Sequence, residues 1–456
     1  MKTILILGTG KSTSVLISYL LNYTSTFNFQ LVVADKSEEA LQKATHGSEH
    51  CTTIVLDIFN DSQRKNLIDH ATLVISMLPA RFHVIIAKDC LHFEKSLVTA
   101  SYVSPEMQKL NKEVIAKKLL FLNEMGVDPG IDHMSAMQII DQIKESGGKM
   151  LLFESFTGGL VAPEHDTNLW NYKFTWNPRN VVIAGQGGAA EFIQEGTYKY
   201  IPYHKLFRRT EFFEIEGYGK FEAYANRNSL QYRKKYGLED ILTLYRGTMR
   251  RIGFSKAWNT FVQLGMTADD YQLHDSEHMS YREFVNLFLA YSPTDSVELK
   301  LRHYLKIDQD DSIWEKLLEL DLFSATKKIG IPQATPAQAL QKILEDSWLL
   351  QPNEKDMIVM YHKFGYELNG EKKQKDATMV CIGEDSTRTA MAKTVGLPVG
   401  IAALMLIKKE LKLTGIHIPV QKEIYLPILK ELKNQGIIFN EKESIYLGYN
   451  PNGVQA

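Results

Sequence analysis

Over residues 3–122, six short aliphatic runs alternate with stretches of helical spacing, and each run stops at a small, polar or acidic residue. The runs occupy 3–7, 29–34, 53–56, 73–76, 96–99 and 119–122. Strand followed by helix, repeated, predicts a parallel, doubly wound α/β sheet of Rossmann type with right-handed crossovers. In such a sheet, ligands bind outside the carboxyl ends of the strands. Asp35, Asp57 with Ile58, Ser76, Ala100-Ser101-Tyr102 and Val127-Asp128-Pro129-Gly130 all fall at or just past those ends. They are therefore expected on one edge.

The first turn carries a nucleotide signal. Gly8 suits the tight turn after the first run, and Gly10 lets the backbone approach a pyrophosphate on the helix N-terminus. Lys11 and Ser12 follow on the same turn, and Thr13 stands where a third glycine is usual. Asp35 ends the second run, where an acidic side chain accepts hydrogen bonds from the adenosine ribose. Its charge favours a free 2′-hydroxyl and hence NAD; Lys11 and Lys36 would neutralise a 2′-phosphate, which makes NADP the alternative. Gly10-Lys11-Ser12 also resembles the end of a P-loop, but that motif needs glycine where this chain has Leu5. A triphosphatase is excluded.

With 456 residues, the chain is expected to hold two or three domains. A net charge of -2 gives no field for nucleic acid or an acidic membrane surface. Cys51, Cys90 and Cys381 are odd in number and far apart, which suits reduced thiols and not a metal site. The N-terminal apolar run ends at Gly8, too soon for a signal peptide. The richest apolar stretch, 397–407, is interrupted by Pro398 and Gly400, so no membrane span is expected and the cytoplasm is the predicted compartment.

Beyond residue 130 the pattern changes. An amphipathic helix is expected over 131–146, then strand-like runs at 150–157, 181–184 and 211–215 that suggest a mixed or antiparallel sheet. Helical patterns dominate about 238–345, where Ser280 and Glu283 have capping-box spacing. A charged hairpin is expected at 370–375, and helices at 390–411 and 424–434 close the chain. The predicted division is a dinucleotide-binding domain from 1–130 and 388–456, with an α+β substrate and dimerisation domain over 131–387. His274-Asp275-Ser276-Glu277-His278 has the spacing of an inverted zinc-protease motif, but it directly precedes the capping box and reads as a polar loop. No metal site is predicted.

Several segments, taken together, resemble the saccharopine dehydrogenase family in its glutamate-forming branch. They include Val127-Asp128-Pro129-Gly130-Ile131-Asp132-His133, Thr99-Ala100-Ser101-Tyr102-Val103-Ser104-Pro105 and Gly158-Gly159-Leu160-Val161-Ala162-Pro163-Glu164. Tyr172-Lys173-Phe174-Thr175-Trp176, Asn226-Arg227-Asn228-Ser229, Tyr245-Arg246-Gly247-Thr248-Met249-Arg250 and two C-terminal stretches around Pro398 and Pro427 match in the same order. The resemblance spans nearly the whole chain. It implies an inserted substrate and dimerisation domain, a homodimer, and reversible NAD(P)-dependent oxidation of saccharopine to glutamate and 2-aminoadipate semialdehyde in lysine metabolism.

By the same resemblance, Asp128 is the expected proton-transfer group and Tyr102 its neighbour at the substrate, orienting substrate or water. Arg81, Ser101, Arg227, Thr248 and Arg250 are expected to hold the substrate's carboxylates. The expected cofactor edge comprises Gly8, Gly10, Lys11, Ser12, Thr13, Asp35, Lys36, Asp57, Ile58, Ser76, Ala100 and Val127. Fungal-type members carry cysteine where this chain has Thr157, so a thiol-based proton relay is unavailable. His133, one turn into a helix, reads as packing or capping. The competing readings are a carboxynorspermidine dehydrogenase and a nucleotide-binding regulator without turnover.

Overall fold

The computed structural model describes every residue except 46, 47, 447 and 449–456. The chain forms two compact units, Met1–Lys149 with Met379–Glu441, and Met150–Thr378 with the segment from Lys442.

The first unit holds the predicted strands: β1 (Lys2–Leu7), β2 (Phe29–Asp35), β3 (Cys51–Val55), β4 (Leu73–Ser76), β5 (Ser96–Thr99) and β6 (Leu120–Leu122). They lie in the order β6-β5-β4-β1-β2-β3, all parallel, with Leu7 beside both Ala34 and Ser76 and with Ser76 beside Thr99. A seventh parallel strand, Gly415–His417, joins β6 at the edge. It is too short to stand out in the sequence. Ile4, Leu5, Ile6 and Leu7 are at most 1% exposed, as expected for a strand covered on both faces. Each such side chain contributes about 1.5–3 kcal/mol by leaving water.

The C-terminal helix Ala390–Ile407, expected over 390–411, is continuous through Pro398 and Gly400. Thr389 caps it by accepting from Ala392 N–H at 2.9 Å. By length and composition it could cross a membrane, but 83% of it is buried inside the protein, as for a core helix. Gly396 and Gly400 lie one turn apart on the face against helix Ser14–Leu21. A Cβ at Gly396 would meet Leu16 N at 2.9 Å, and one at Gly400 would meet Tyr19 Cδ1 at 2.8 Å. These two glycines set how close the helices approach.

The expected boundary at residue 130 differs from this division. Helix Ile131–Glu145 belongs to the first unit, where it packs on helix Lys422–Asn434 and Tyr425 Oη donates to Asp141 Oδ2 at 2.7 Å. Its apolar face is buried by a segment almost 300 residues away, which no local pattern can reveal.

The second unit is built on a nine-stranded mixed sheet. Lys149–Val161 runs parallel to Thr243–Arg251, which is antiparallel to Gly219–Ala225. Strand Thr243–Arg251 corrects the expectation of helix from residue 238. Thr243, Tyr245 and Thr248 are residue types that suit a pleated surface, and a side chain at Gly247 would meet Tyr224 O at 2.8 Å. The run at 181–184 is also not a strand. Helix Pro178–Val182 begins there, with Pro178 in the first turn and the Asn177 side chain accepting from Arg179 N–H. The hairpin turn is only Asn369-Gly370, and Glu371–Ile382 is strand throughout. The helical region runs from Phe254–Leu264 to Pro336–Trp348, and the Ser280–Glu283 capping box forms.

Candidate active site

At the carboxyl ends of β1 to β3, the glycine turn is shaped by close backbone contacts. Gly8 has φ +99, and a Cβ there would lie 3.0 Å from Met77 O. Its N–H donates to Ala34 O at 2.8 Å. A Cβ at Gly10 would meet nothing within 4 Å, so the space beside this backbone is open. Lys11 is exposed and Ser12 half-buried on the same turn. Thr13 is buried and donates its hydroxyl to Gly10 O at 2.6 Å, closing the turn from the inside and not facing a ligand.

Asp35 ties this turn to the end of β2. Its Oδ2 accepts Thr9 N–H at 2.8 Å and its Oδ1 accepts Ser37 N–H at 3.0 Å. A carboxylate has about four acceptor directions, so two remain for a ribose. Lys36 and Asp57 are exposed beside it, and Asp57 Oδ1 accepts Phe59 N–H at 3.0 Å. Ile58 is half-buried, and its carbonyl accepts from the buried Arg64, which also pairs with Asp89 at 2.6 Å. An open glycine turn with an anchored acid at the next strand end fits a dinucleotide.

Asp128 stands on a turn built from four backbone bonds. Gly126 N–H donates to Pro129 O, Ile131 N–H to Gly126 O, Asp132 N–H to Val127 O, and Met134 N–H to Gly130 O. The Asp128–Pro129 peptide is cis, and Gly130 has φ +148 with its hypothetical Cβ only 2.0 Å from Gly126 O. Only glycine fits there. Tyr102, 48% exposed, donates from Oη to Asp128 Oδ1 at 3.1 Å. The expected proton-transfer residue and its expected neighbour are therefore brought together from separate strand ends. Behind them Glu124 is buried, accepting Val103 N–H at 3.2 Å and pairing with His133 Nε2 at 2.8 Å. This clamp ties the Tyr102 loop to helix Ile131–Glu145. Val127 is buried, and Ala100 Cβ packs near Gly126.

Ser76 is placed differently from its expected contact with the cofactor. It is fully buried and bonds His83 Nδ1 at 2.8 Å, so its hydroxyl is engaged by the imidazole. His83 Nε2 lies 2.7 Å from Ser101 Oγ. Burial lowers the imidazole to about 4, leaving it neutral at physiological pH. Sequence reading missed His83, because a histidine in the first turn of a helix carries no distinctive spacing. Arg81 is exposed and stacks on Phe82 at 4.7 Å, and Phe82 meets Phe59 edge-on at 5.5 Å.

In the second unit, Arg250 is 3% exposed, with its guanidinium 4.9 Å from the Tyr172 ring, 5.2 Å from Phe254 and 5.7 Å from Tyr224. Aromatic faces attract a desolvated cation. One Nη donates to Met249 O at 2.8 Å, while Nε is buried with no hydrogen-bond partner among the described residues. Thr248 lies opposite Thr157 across the parallel strands and donates to Asn226 Oδ1 at 2.7 Å. Thr157 Oγ1 is likewise buried with no partner among the described residues. Arg227, next to Asn226, is exposed and donates to Gln186 O at 2.9 Å. The segment His274–His278 is turn, as expected.

Comparison with known proteins finds matches along nearly the whole chain. Residues 4–122 match the saccharopine dehydrogenase NADP binding domain, and residues 126–437 match the saccharopine dehydrogenase C-terminal domain. The chain is 32% identical over 452 residues to the saccharopine dehydrogenase (NADP(+), L-glutamate-forming) of Saccharomyces cerevisiae, covering 97% of this chain and 99% of the relative. It is also 32% identical over 467 residues to the mitochondrial alpha-aminoadipic semialdehyde synthase of Rattus norvegicus. There 98% of this chain is covered but only 48% of the relative, so the chain spans about half of that protein's length. The apo structure of histidine-tagged saccharopine dehydrogenase (L-Glu forming) from Saccharomyces cerevisiae superposes with a TM-score of 0.86 at 31% identity, covering 97% of this chain and 100% of the other. With both domains matched in order and a relative aligned end to end, the chain belongs to the saccharopine dehydrogenase family.

Proposed function

We propose that this protein oxidises saccharopine with a nicotinamide dinucleotide, forming glutamate and 2-aminoadipate semialdehyde, and that the reaction is reversible. The observation that carries this reading is the Tyr102–Asp128 pair, set on the carboxyl edge of a dinucleotide-type sheet in a chain of this family. The dinucleotide, when bound, accepts the hydride leaving the carbon next to the secondary amine. Asp128 takes a proton from the secondary ammonium before the hydride leaves and passes it to solvent as the net proton of the reaction. The unprotonated carboxylate then takes a proton from the water that adds to the imine carbon. The same carboxyl gives that proton to nitrogen. As the carbinolamine breaks, the carboxylate takes the hydroxyl proton, leaving aldehyde, and hands it to the departing amine. Tyr102 donates to Asp128 Oδ1 and so orients the carboxylate for these transfers. Thr157 contributes a hydroxyl but no titrating thiol.

Saccharopine carries three carboxylates; Arg81 and Ser101 in the first unit, and Arg227, Thr248 and Arg250 in the second, are donors of the matching kind. The unpartnered Arg250 Nε supports a ligand carboxylate there. Asp35 favours NAD by charge, whereas the fungal relative is named for NADP(+). Cys51, Cys90 and Cys381 form no disulfide, which supports a cytoplasmic protein. The homodimer rests on family resemblance, and sizing in solution tests it.

Purified protein is mixed with saccharopine and either dinucleotide, and reduced nicotinamide is followed by absorbance. Reduction with NAD supports both the reaction and the role of Asp35; reduction with NADP alone keeps the reaction and overturns the cofactor choice. Turnover of carboxynorspermidine in place of saccharopine moves the substrate assignment to the shorter amine. Silence with both favours a regulator.

A further inference from the structure

Ser76, His83 and Ser101 form one hydrogen-bonded line across the ends of β4 and β5, and burial fixes the direction of its protons. The distances are 2.8 Å from Ser76 Oγ to His83 Nδ1 and 2.7 Å from His83 Nε2 to Ser101 Oγ. Ser76 is 0% exposed and His83 4%, and the neutral ring carries a single N–H. Either tautomer fits the distances, but they differ in which donors are satisfied. With hydrogen on Nδ1, Ser76 accepts, and its own hydroxyl proton has no other acceptor among the described residues. An orphaned buried donor is costly, whereas an unused lone pair is mild. With hydrogen on Nε2, Ser76 donates to Nδ1 and the ring donates to Ser101 Oγ. Thr99 Oγ1 accepts Ser101 N–H at 3.3 Å; it lies 3.4 Å from the same ring nitrogen, too long for a strong bond in either tautomer, so the shorter Ser76 and Ser101 bonds decide between them. Ser101 is half-buried and then keeps its own proton to give away.

We infer that His83 is a positioning residue, fixed by Ser76 as the Nε2–H tautomer, so that Ser101 presents its hydroxyl proton outward to a carboxylate oxygen of the substrate. The recipient rests on the saccharopine reading above. The opposite tautomer turns Ser101 into an acceptor, which a carboxylate cannot use.

The direct test is a two-bond proton–nitrogen NMR spectrum of the full-length, ligand-free protein labelled with ¹⁵N at histidine, near neutral pH. The His83 signals are assigned by their loss in His83→Gln. Nδ1 is expected to be imine-type and Nε2 pyrrole-type; the reverse assignment overturns the inference. Ser76→Ala removes the lock without touching Ser101. Its KM for saccharopine is expected to rise about tenfold or more, with the KM for the dinucleotide within about twofold. An unchanged KM for saccharopine overturns the link to substrate. The spectrum needs no turnover, so wild-type protein inert toward saccharopine refutes the reaction and its carboxylate recipient, while the spectrum still decides the tautomer.

Discussion

Asp128 is a surface-edge carboxylate made specific by its surroundings: a turn that only glycine at 130 permits, and a tyrosine bonded to one oxygen. Asp128→Asn keeps the shape and removes the base. We expect kcat to fall by at least about 100-fold with dinucleotide binding unchanged, checked by steady-state rates and fluorescence titration. Near-normal turnover would sink the assignment. His83 gives a second prediction, for stability. Its folded value, about 4, lies below the ordinary 6.5, so the unfolded chain takes up the proton first as pH falls. The stabilisation is complete above pH 6.5 and is lost between 6.5 and 4, with a total of about 3 kcal/mol. Urea melts at stepped pH values measure it, and His83→Gln should flatten this part of the profile. At this scale the sequence placed Asp128, Tyr102 and Asp35 at or just past strand ends, where the structure also has them. It did not reveal that the Ser76 hydroxyl bonds His83, because that contact depends on a histidine presented by the next helix.

Helix Ser14–Leu21 carries the glycine turn, and its position is set by the glycine face of Ala390–Ile407. Gly396→Val would place branched carbons against the Leu16 backbone, where even a Cβ comes within 2.9 Å. The expected outcome is a loss of about 1–3 kcal/mol, read from thermal or urea melts, with a raised KM for the dinucleotide as the turn shifts. An unchanged melt and KM would mean that the helices part at no cost. Periodicity found both helices, the second in spite of Pro398 and Gly400 within it. The continuous helix survives because its faces are packed against the first unit's core, which outweighs local propensity. The strand Thr243–Arg251 shows the same override, since two neighbouring strands supply its hydrogen bonds.

The first unit is assembled from both ends of the chain, residues 1–149 and 379–441. A protein ended after residue 378 lacks helix Ala390–Ile407, edge strand Gly415–His417 and the helix that covers Ile131–Glu145. It is expected to lose dinucleotide binding and to show no cooperative melt for that unit; retained binding would contradict this account of the core. The sequence by itself determined the parallel sheet, the shared edge of strand ends and the family, because these rest on local alternation and contiguous motifs. Tertiary structure decided what those patterns cannot encode: the boundary near residue 149, the seventh strand, and the pairing of Tyr102 with Asp128. It also decided the burial of Ser76 against His83. Each of these depends on contacts between residues distant in sequence, whose burial energy appears only once the chain has folded.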